Sequence, residues 1–425
     1  MIKRIRVQHL EIGMFISDFN TPWLRHPFMP NQRLVRSARD VDNMLKCGME
    51  EVMIDTRRGK DSPKAVPLRE VDAQVERKML EDLQEEEEDL GPSLAPDTIP
   101  LARELPKARK VYQDARNVVK TQFEDVRTGH PVDGEGAHET VKDLVDSIFR
   151  NRNALLSLSR IKSFDEYTFN HSINVAVLAL NLAVHMGILD HELQRLGVGA
   201  VLHDLGKVRM PDGLIQKPGR FSDNEYEVVK THAAHGAKLI LDSGDLPKEC
   251  AAVPLNHHER YDGTGYPRRL AGLQVGKFGL ITAIADVYDA MTTNRPYQKG
   301  MPPDVALRMT YQWAGTHFHP IYVRKFIQCL GIFPVGSAVE LDSGEAGVVV
   351  RQNKGELLRP WVRLVRAANR APYRPYFDVD LRDPDPTGMM PFARSVRGIL
   401  DPTRHDMDVD LVMTSNGAVD EPEAA

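Results

Sequence analysis

The segment Val201-Leu-His-Asp-Leu-Gly-Lys207 is followed by Thr231-His-Ala-Ala-His-Gly236 and then by Asn256-His-His-Glu-Arg-Tyr-Asp-Gly-Thr-Gly-Tyr-Pro267. These three blocks concentrate imidazoles, carboxylates and glycines, and helical patterns separate them. Imidazole and carboxylate groups are common metal ligands, and short blocks on successive helices can bring distant ligands into one pocket. The sequence therefore predicts a metal site assembled from several helices.

Two apolar segments on either side of these blocks add one candidate ligand each. His171 lies near the start of the pattern 168–180, where a lone histidine is more often a satisfied core residue than a ligand. Asp286 lies inside the apolar pattern 280–290, where an unpaired charge would be expensive. Asp286 should therefore have a cation beside it. Because the sequence contains several other candidate ligands, we interpret His171 as a metal ligand as well.

Two candidate ligands are adjacent in His203-Asp204, and two more in His257-His258. Side chains of neighbouring residues diverge, so the members of a pair can serve separate metals or separate edges of one site. Nitrogen and carboxylate ligands without a thiolate select first-row divalent metals, namely iron, manganese, nickel or zinc. A structural zinc site is a poorer match.

The composition favours a soluble, multidomain protein. The 425 residues are 42% hydrophobic and 27% charged, enough for more than one core. The net charge of -5 gives no electrostatic footprint for a nucleic acid polymer. Three widely separated cysteines rule out a disulfide framework and indicate a reducing cytoplasm. The most apolar stretch, 173–189, contains asparagine and histidine and predicts a buried helix, not a membrane span.

The combined motifs resemble one family. His203-Asp204 with Gly206-Lys207, His257-His258-Glu259, Asp262-Gly-Thr-Gly-Tyr-Pro267 and Arg295-Pro-Tyr297 are similar to the HD-GYP cyclic di-GMP phosphodiesterases, a bacterial branch of the HD-domain metal hydrolases. The resemblance covers roughly residues 150–333, and the combination is far more specific than any single block. It implies an all-α, HD-type catalytic domain with a metal cluster in its core.

The resemblance also implies roles for individual residues. Lys207, Tyr266 and Arg295 fall where the family contacts the phosphates or guanines of its substrate. Asp204 and Lys207 are the expected catalytic residues, and Asp204 should bridge two divalent ions because a carboxylate has two oxygens to share. Iron or manganese is the first expectation, with nickel or zinc as alternatives. The ligand positions correspond to His171, His203, Asp204, His232, His257, His258 and Asp286.

Several positions depart from the family pattern. Tyr167 stands where some members have a glutamate that helps hold a third metal, and Glu166 is off the ligand face, so we expect two metals. His319 stands where an aspartate is common, and we interpret it as part of a structural turn. His185 and His235 have no family role, and we expect both to be core or helix-face residues.

The implied reaction opens cyclic di-GMP to linear pGpG, and a second cut would give GMP. A second hypothesis is a degenerate receptor for the dinucleotide, or a module that docks onto diguanylate cyclase (GGDEF) domains through the GYP loop. A third is hydrolysis of another cyclic dinucleotide, because pocket shape sets the base preference. The helices before the catalytic domain could pair with a second subunit in a homodimer or pack on their own chain.

The remaining segments complete the expected organisation. Short β-rich runs at 10–16 and 50–55 flank a helical pattern at 37–48. In the loop between the run 10–16 and the helical pattern 37–48, Trp23 and Phe28 could close the core of this module or form a docking surface. The expected divisions are a small α+β module (1–65), an acidic linker with lead-in helices (66–149), the HD-type domain (150–333), a small β-barrel-like appendage (334–402) and a disordered acidic tail (403–425).

Overall fold

A computed structural model gives the structure of residues 1–18, 32–46, 49–85, 98–160, 167–211, 213–215, 217, 221–294, 300–353 and 355–415. These described residues form two compact units, one within 1–82 and 217–222 and the other within 83–216 and 223–415. Among them, none of the helices combines the length and the apolar character that crossing a membrane requires. Trp23 and Phe28 lie outside the described residues.

The first unit contains a five-stranded antiparallel sheet. Across the sheet, the strands follow the order 33–34, 15–18, 51–55, 2–6 and 66–67. Its buried core contains side chains from the strands and from the helix, among them Ile5 on the first strand and Met44 on the helix. The elements are β1 (Ile2–Arg6), β2 (Phe15–Asp18), β3 (Arg33–Leu34), α1 (Ala38–Lys46), β4 (Glu51–Asp55), β5 (Val66–Pro67) and α2 (Leu68–Glu85).

Two expectations for this region need correction. The strand predicted over 10–16 begins only at Phe15, because Gly13 turns the chain at a φ of 97°. The segment 66–149 was expected to contain an acidic linker, yet α2 (Leu68–Glu85) extends into the acidic run that begins at Glu81. Strand β1 was not predicted, although Ile5 pairs with Val52 at the centre of the sheet.

The second unit is mainly helical, and its helices follow the apolar periodicity of the sequence. One of the lead-in helices expected before the catalytic domain is α3 (Leu101–Thr128), and its buried face packs on the helices at 134–150, 152–158 and 167–185 of the same chain. The helices are α3 (Leu101–Thr128), α4 (Gly134–Arg150), α5 (Arg152–Leu158), α6 (Tyr167–His185), α7 (Asp190–Val201), α8 (Asp223–Lys230), α9 (His232–Ser243), α10 (Ala252–Asn256), α11 (Lys277–Thr292), α12 (Pro303–Gln312) and α13 (Pro320–Leu330).

Helices α6 and α11 form the centre of this unit. Both are apolar on nearly every face, from Ile173 to Val184 on α6 and from Leu280 to Ala285 on α11, and they pack directly against each other. A helix that is apolar all round belongs in a core. The few polar side chains on these two helices are therefore brought together inside the protein.

The C-terminal strands form one antiparallel sheet. Across the sheet, they follow the order 396–399, 338–341, 346–351, 361–366 and 372–380. The β structure expected over 334–402 is present as five strands. The expected barrel-like closure is wrong for the described residues, because β9 and β10 are the two edges and do not pair with each other. The strands are β6 (Ala338–Leu341), β7 (Ala346–Arg351), β8 (Trp361–Arg366), β9 (Pro372–Asp380) and β10 (Val396–Ile399).

The expectation of disorder from residue 403 onward is wrong as far as residue 415. Helix α14 (Val409–Thr414) begins at Asp408, whose carboxylate accepts a hydrogen bond from a backbone N–H of the first turn. Val412 and Met413 are buried. Arg363 on β8 donates to the carbonyl oxygens of Val412 and Ser415, so the sheet binds this helix directly.

A buried ion pair joins α3 and α4 and gives a test of the helical packing. Glu104 is fully buried and accepts hydrogen bonds of 2.9 Å from Arg150 Nε and Nη2 and from the Ser147 hydroxyl. Glu104→Ala should lower the free energy of unfolding by about 2–3 kcal/mol, since it leaves a partly buried guanidinium without its partner. Ser147→Ala, which removes one neutral donor, should lower it by only about 1 kcal/mol. Urea denaturation followed by far-UV circular dichroism measures both, and equal losses would contradict this account.

Candidate metal centre

The seven predicted ligands meet in one place within the helical unit. They come from five parts of the chain: His171 is on α6, His203 and Asp204 follow α7, His232 is the first residue of α9, His257 and His258 follow α10, and Asp286 is on α11. Their ligand atoms form three overlapping groups of three residues. Within each group, the ligand atoms lie within 4.8 Å of one another. The groups are His232, His257 and His258; His171, His203 and Asp286; and His203, Asp204 and His257.

Asp204 lies at the centre, and its two carboxylate oxygens face different histidines. Oδ1 is 3.6 Å from His232 Nε2 and 3.9 Å from His257 Nε2. Oδ2 is 3.4 Å from His203 Nε2 and 3.9 Å from His171 Nε2. One carboxylate is therefore placed between two sets of imidazole nitrogens.

Backbone hydrogen bonds orient three of the imidazoles. Nδ1 of His203, His232 and His257 lies 2.8, 2.6 and 2.9 Å from the carbonyl oxygen three residues earlier. A carbonyl oxygen only accepts, so each Nδ1 carries the hydrogen and donates it. In the neutral ring, Nε2 then presents its lone pair toward Asp204, which is the orientation that metal ligation requires.

Two buried carboxylates supply the negative charge of the centre. Burial alone would raise the pKa of Asp204, but Lys207 and His203 outweigh it and hold that pKa well below its usual range. Asp286 Oδ1 lies 3.0 Å from His171 Nε2 and Oδ2 lies 3.8 Å from His258 Nδ1. Burial opposes ionisation of Asp286 too, yet contact with His171 lowers its pKa far below the usual range. Both groups are carboxylates at neutral pH.

The imidazoles of His232 and His257 are neutral at the same pH. Burial lowers the pKa of His232 to about 4, against the attraction of Asp204. Burial, reinforced by the neighbouring histidines, also lowers the pKa of His257 well below its usual value. Neutral imidazoles beside ionised carboxylates are the protonation states in which these side chains bind a metal.

The donor set fits a divalent cation. His203 Nε2 and Asp204 Oδ1 are buried, and neither has a hydrogen-bond partner within the described part of the chain. Buried polar atoms are nearly always satisfied, so such a pair calls for a partner outside the protein. Nitrogen and oxygen donors without a thiolate match first-row divalent metals.

One side of the centre is open to solvent. The side chains of Lys207 and His258 are each 26% exposed, whereas those of His203, Asp204, His232 and His257 are 2% exposed or less. Lys207 Nζ forms an ion pair with Asp204 Oδ2. The Tyr266 ring lies 4.7 Å from that of His258, with 30° between the planes. Lys207, His258 and Tyr266 therefore form the face that a ligand would meet first.

Glycines and a buried glutamate shape this open face. A Cβ at Gly206 would overlap the His232 carbonyl, and one at Gly265 would overlap the backbone of Arg260. Glu259 is buried and accepts hydrogen bonds from the backbone N–H groups of Arg268 and Leu270, at 2.7 and 3.1 Å. Glu259 therefore holds the loop that carries Tyr266.

A second row of polar residues, which the sequence did not reveal, supports His171. His171 Nδ1 donates to Asp289 Oδ2 at 2.8 Å. Asp289 Oδ1 accepts from Asn174 Nδ2 at 3.0 Å, and Asn174 Oδ1 accepts from the Tyr112 hydroxyl at 2.7 Å. We call Tyr112, Asn174 and Asp289 the support chain. It fixes the tautomer and the orientation of His171 from the side away from Asp286.

Other predicted positions lie elsewhere. Arg295 and Glu166 are outside the described residues, and so is the side chain of Tyr167. His319 directly precedes α13, and its ring lies 4.5 Å from that of Tyr322, as expected for a structural role. His235 is one turn from His232 on α9 but belongs to none of the three ligand groups.

Comparison with known proteins agrees with this geometry. The family described as "HD domain" matches residues 146–321, and a "Domain of unknown function (DUF3391)" matches residues 2–137. The first match contains all seven converging ligand candidates. The second contains the α3 helix, which bears Tyr112.

Three curated relatives carry the same activity in their names. The cyclic di-GMP phosphodiesterase PA4108 of Pseudomonas aeruginosa is 37% identical over 90% of this chain and 89% of its own. A cyclic di-GMP phosphodiesterase of Thermotoga maritima is 33% identical over 45% of this chain and 52% of its own. The cyclic di-GMP phosphodiesterase response regulator RpfG of Xanthomonas campestris pv. campestris is 35% identical over 40% of this chain and 46% of its own. This chain belongs to the HD-GYP family of HD-domain phosphodiesterases.

Proposed function

We propose that the protein hydrolyses the phosphodiester bonds of cyclic di-GMP, giving linear pGpG and then GMP. The observation that carries the proposal is the position of Asp204, whose two oxygens face separate imidazoles in a buried, ionised centre. A receptor that only binds the dinucleotide has no need to keep all seven ligand positions. The relatives named for this reaction support the same substrate.

In this proposal the centre holds two divalent ions, with iron or manganese as the first choice and nickel or zinc as alternatives. Asp204 would be shared between the two ions because each of its oxygens faces a different set of donors. The chemistry that such a pair of ions supplies is charge neutralisation at the phosphate and activation of a water near neutral pH. The ligands would be His171, His203, Asp204, His232, His257, His258 and Asp286.

The residues of the open face would bind and orient the substrate. Lys207 is the cation nearest to Asp204, and its ammonium group can balance the charge of a non-bridging phosphate oxygen. Tyr266 presents an aromatic ring beside His258, where a guanine could stack or a phosphate could accept its hydroxyl hydrogen. Arg295 is proposed as a second clamp on the phosphates.

The proposal extends to organisation and partners. We place the domain limits at 1–65, 66–149, 150–333 and 334–402. The exposed loop of Asp262 and Thr264 is the proposed contact for diguanylate cyclase domains, and a homodimer remains part of the proposal. We assign the protein to the cytoplasm, where the buried free thiols of Cys250 and Cys329 would stay reduced.

The first prediction concerns Asp204. Asp204→Ala should abolish both metal retention and cyclic di-GMP turnover. Among the described residues, Asp204 is the carboxylate that lies within 4 Å of Nε2 of all four histidines around it, His171, His203, His232 and His257. Elemental analysis of the purified protein and chromatographic detection of pGpG and GMP measure the two effects. The matched control is His235→Ala on α9, which should keep both properties. Wild-type protein that holds metal but cleaves no cyclic dinucleotide would favour the receptor hypothesis instead.

The second prediction concerns the support chain. Asp289→Asn should weaken metal affinity by about 10–100-fold, since residues that orient a ligating histidine typically contribute that much. Tyr112→Phe should weaken it less, because the phenol acts through two further side chains. Competition with a chromophoric chelator measures the affinity without reference to activity. Unchanged affinity in Asp289→Asn would show that His171 needs no such support.

The third prediction concerns pH. Unfolded histidines bind protons near pH 6.5, whereas burial lowers the pKa of His232 to about 4. The unfolded chain therefore binds more protons between these values, so the stability of the metal-free protein should be full above pH 6.5 and fall as the pH drops toward 4. Urea titrations at several pH values should show a shallower fall for His232→Gln. The fall should be unaltered in His235→Gln, and an identical slope in all three proteins would refute the assignment.

A further inference from the structure

A cavity of about 100 Å³ is lined in part by Asp289 of the support chain and by none of the seven candidate metal ligands. Side chains of α5, α6 and α11 line it, together with Pro334 after α13. Much of the lining is apolar, as at Leu156 and Leu178. Water's share of liquid volume is about 30 Å³ per molecule, so the cavity has room for a group larger than one water.

Arg160 lines this cavity, and its guanidinium forms no ion pair with any carboxylate among the described residues. Its Nη1 donates to the Pro334 carbonyl oxygen at 2.9 Å and to the Ser337 hydroxyl at 2.6 Å. Among the described residues, Nε and Nη2 have no acceptor and no carboxylate forms an ion pair with the guanidinium. Asp289 also lines the cavity, but its oxygens accept from His171 and Asn174.

Other arginines in this chain show what the free edge of Arg160 is suited to bind. Arg150 and Arg363 each direct Nε and Nη2 at the two oxygens of one carboxylate, Glu104 or Asp378. This side-on edge matches two oxygens of a carboxylate or a phosphate. Arg160 lines the cavity, and within the described part of the chain all its hydrogen bonds come from Nη1, so the Nε–Nη2 edge is not used there.

Tyr288 adds a third donor to the same space. It is 5% exposed and lines the cavity, and the described residues provide no hydrogen-bond partner for its hydroxyl. Burial lowers the pKa of Arg160, but a guanidinium stays charged at neutral pH, so the cavity presents a cation beside the Tyr288 hydroxyl. Arg160 is partly buried, and a bound anion would stabilise a cation that is partly withdrawn from water and has no ion pair among the described residues.

We propose that this cavity is a binding site for a small tetrahedral oxyanion of the phosphate type, held by the Nε–Nη2 edge of Arg160 and by the Tyr288 hydroxyl. The site is separate from the metal centre and does not depend on the proposed reaction. Two donors from one guanidinium and one from a phenol suit an anion whose oxygens point in more than two directions. The limited volume and the apolar walls exclude a whole nucleotide.

The test uses the full chain, freed of metal by a chelator, with inorganic phosphate as the probe and chloride at the same ionic strength as the reference. Phosphate should raise the Tm in a saturable manner. Arg160→Met should lose this rise, and Tyr288→Phe should need more phosphate to reach it. Lys207→Met, which alters the open face of the metal centre, should retain it. Arg397→Met, which removes a 70% exposed arginine, is the matched control and should also retain it.

A direct measurement covers the case in which Arg160→Met fails to fold. Crystals of the wild-type protein soaked in selenate should show an anomalous selenium peak beside Nε and Nη2 of Arg160. Only water in the cavity at saturating selenate would overturn the proposal. An equal phosphate-dependent rise in Tm in folded Arg160→Met would overturn it as well.

Discussion

The helical unit depends on one constraint, the burial of the Asp204 carboxylate among histidines. An ionised group at 1% exposure is tolerated only when positive charge or hydrogen-bond donors surround it. Here the surrounding groups come from α6, α9 and the segments after α7 and α10, so the helices must pack in one arrangement for the charge to be satisfied. Lys207 provides part of the compensation from three residues away. The core and the candidate site are therefore parts of a single structure.

Much of the candidate site could be predicted because its residues occur in short, chemically unusual blocks. Adjacent pairs such as His203-Asp204 are conspicuous in any sequence. The support chain could not be predicted, because its members resemble ordinary helix residues. Asn174 only interrupts an apolar stretch, and Tyr112 lies on an amphipathic pattern about 60 residues before it. Their roles follow from the packing of α3 on α6, which no local pattern specifies.

The fold shows the same division between local and long-range information. Helix α3 has a regular apolar period, and a helix before the catalytic domain was expected from the sequence. Strand β9 contains Pro372 and Pro375, which argue against a strand, but it lies at the edge of its sheet, where proline is tolerated. Helix α14 is only six residues long and lies in an acidic segment, so composition pointed to disorder. Its order depends on Arg363, about 50 residues earlier in the chain.

The position of Tyr112 bears on where one functional part of this chain ends. The region that matches the HD domain begins at residue 146, yet the phenol that terminates the hydrogen bonds behind His171 belongs to α3, within the region matched by the other family. A recombinant fragment cut at the family boundary would expose Asn174 and strip the apolar cover that α3 provides. Evolutionary exchange of the front module would meet the same restriction, because α3 would have to travel with the helices it covers.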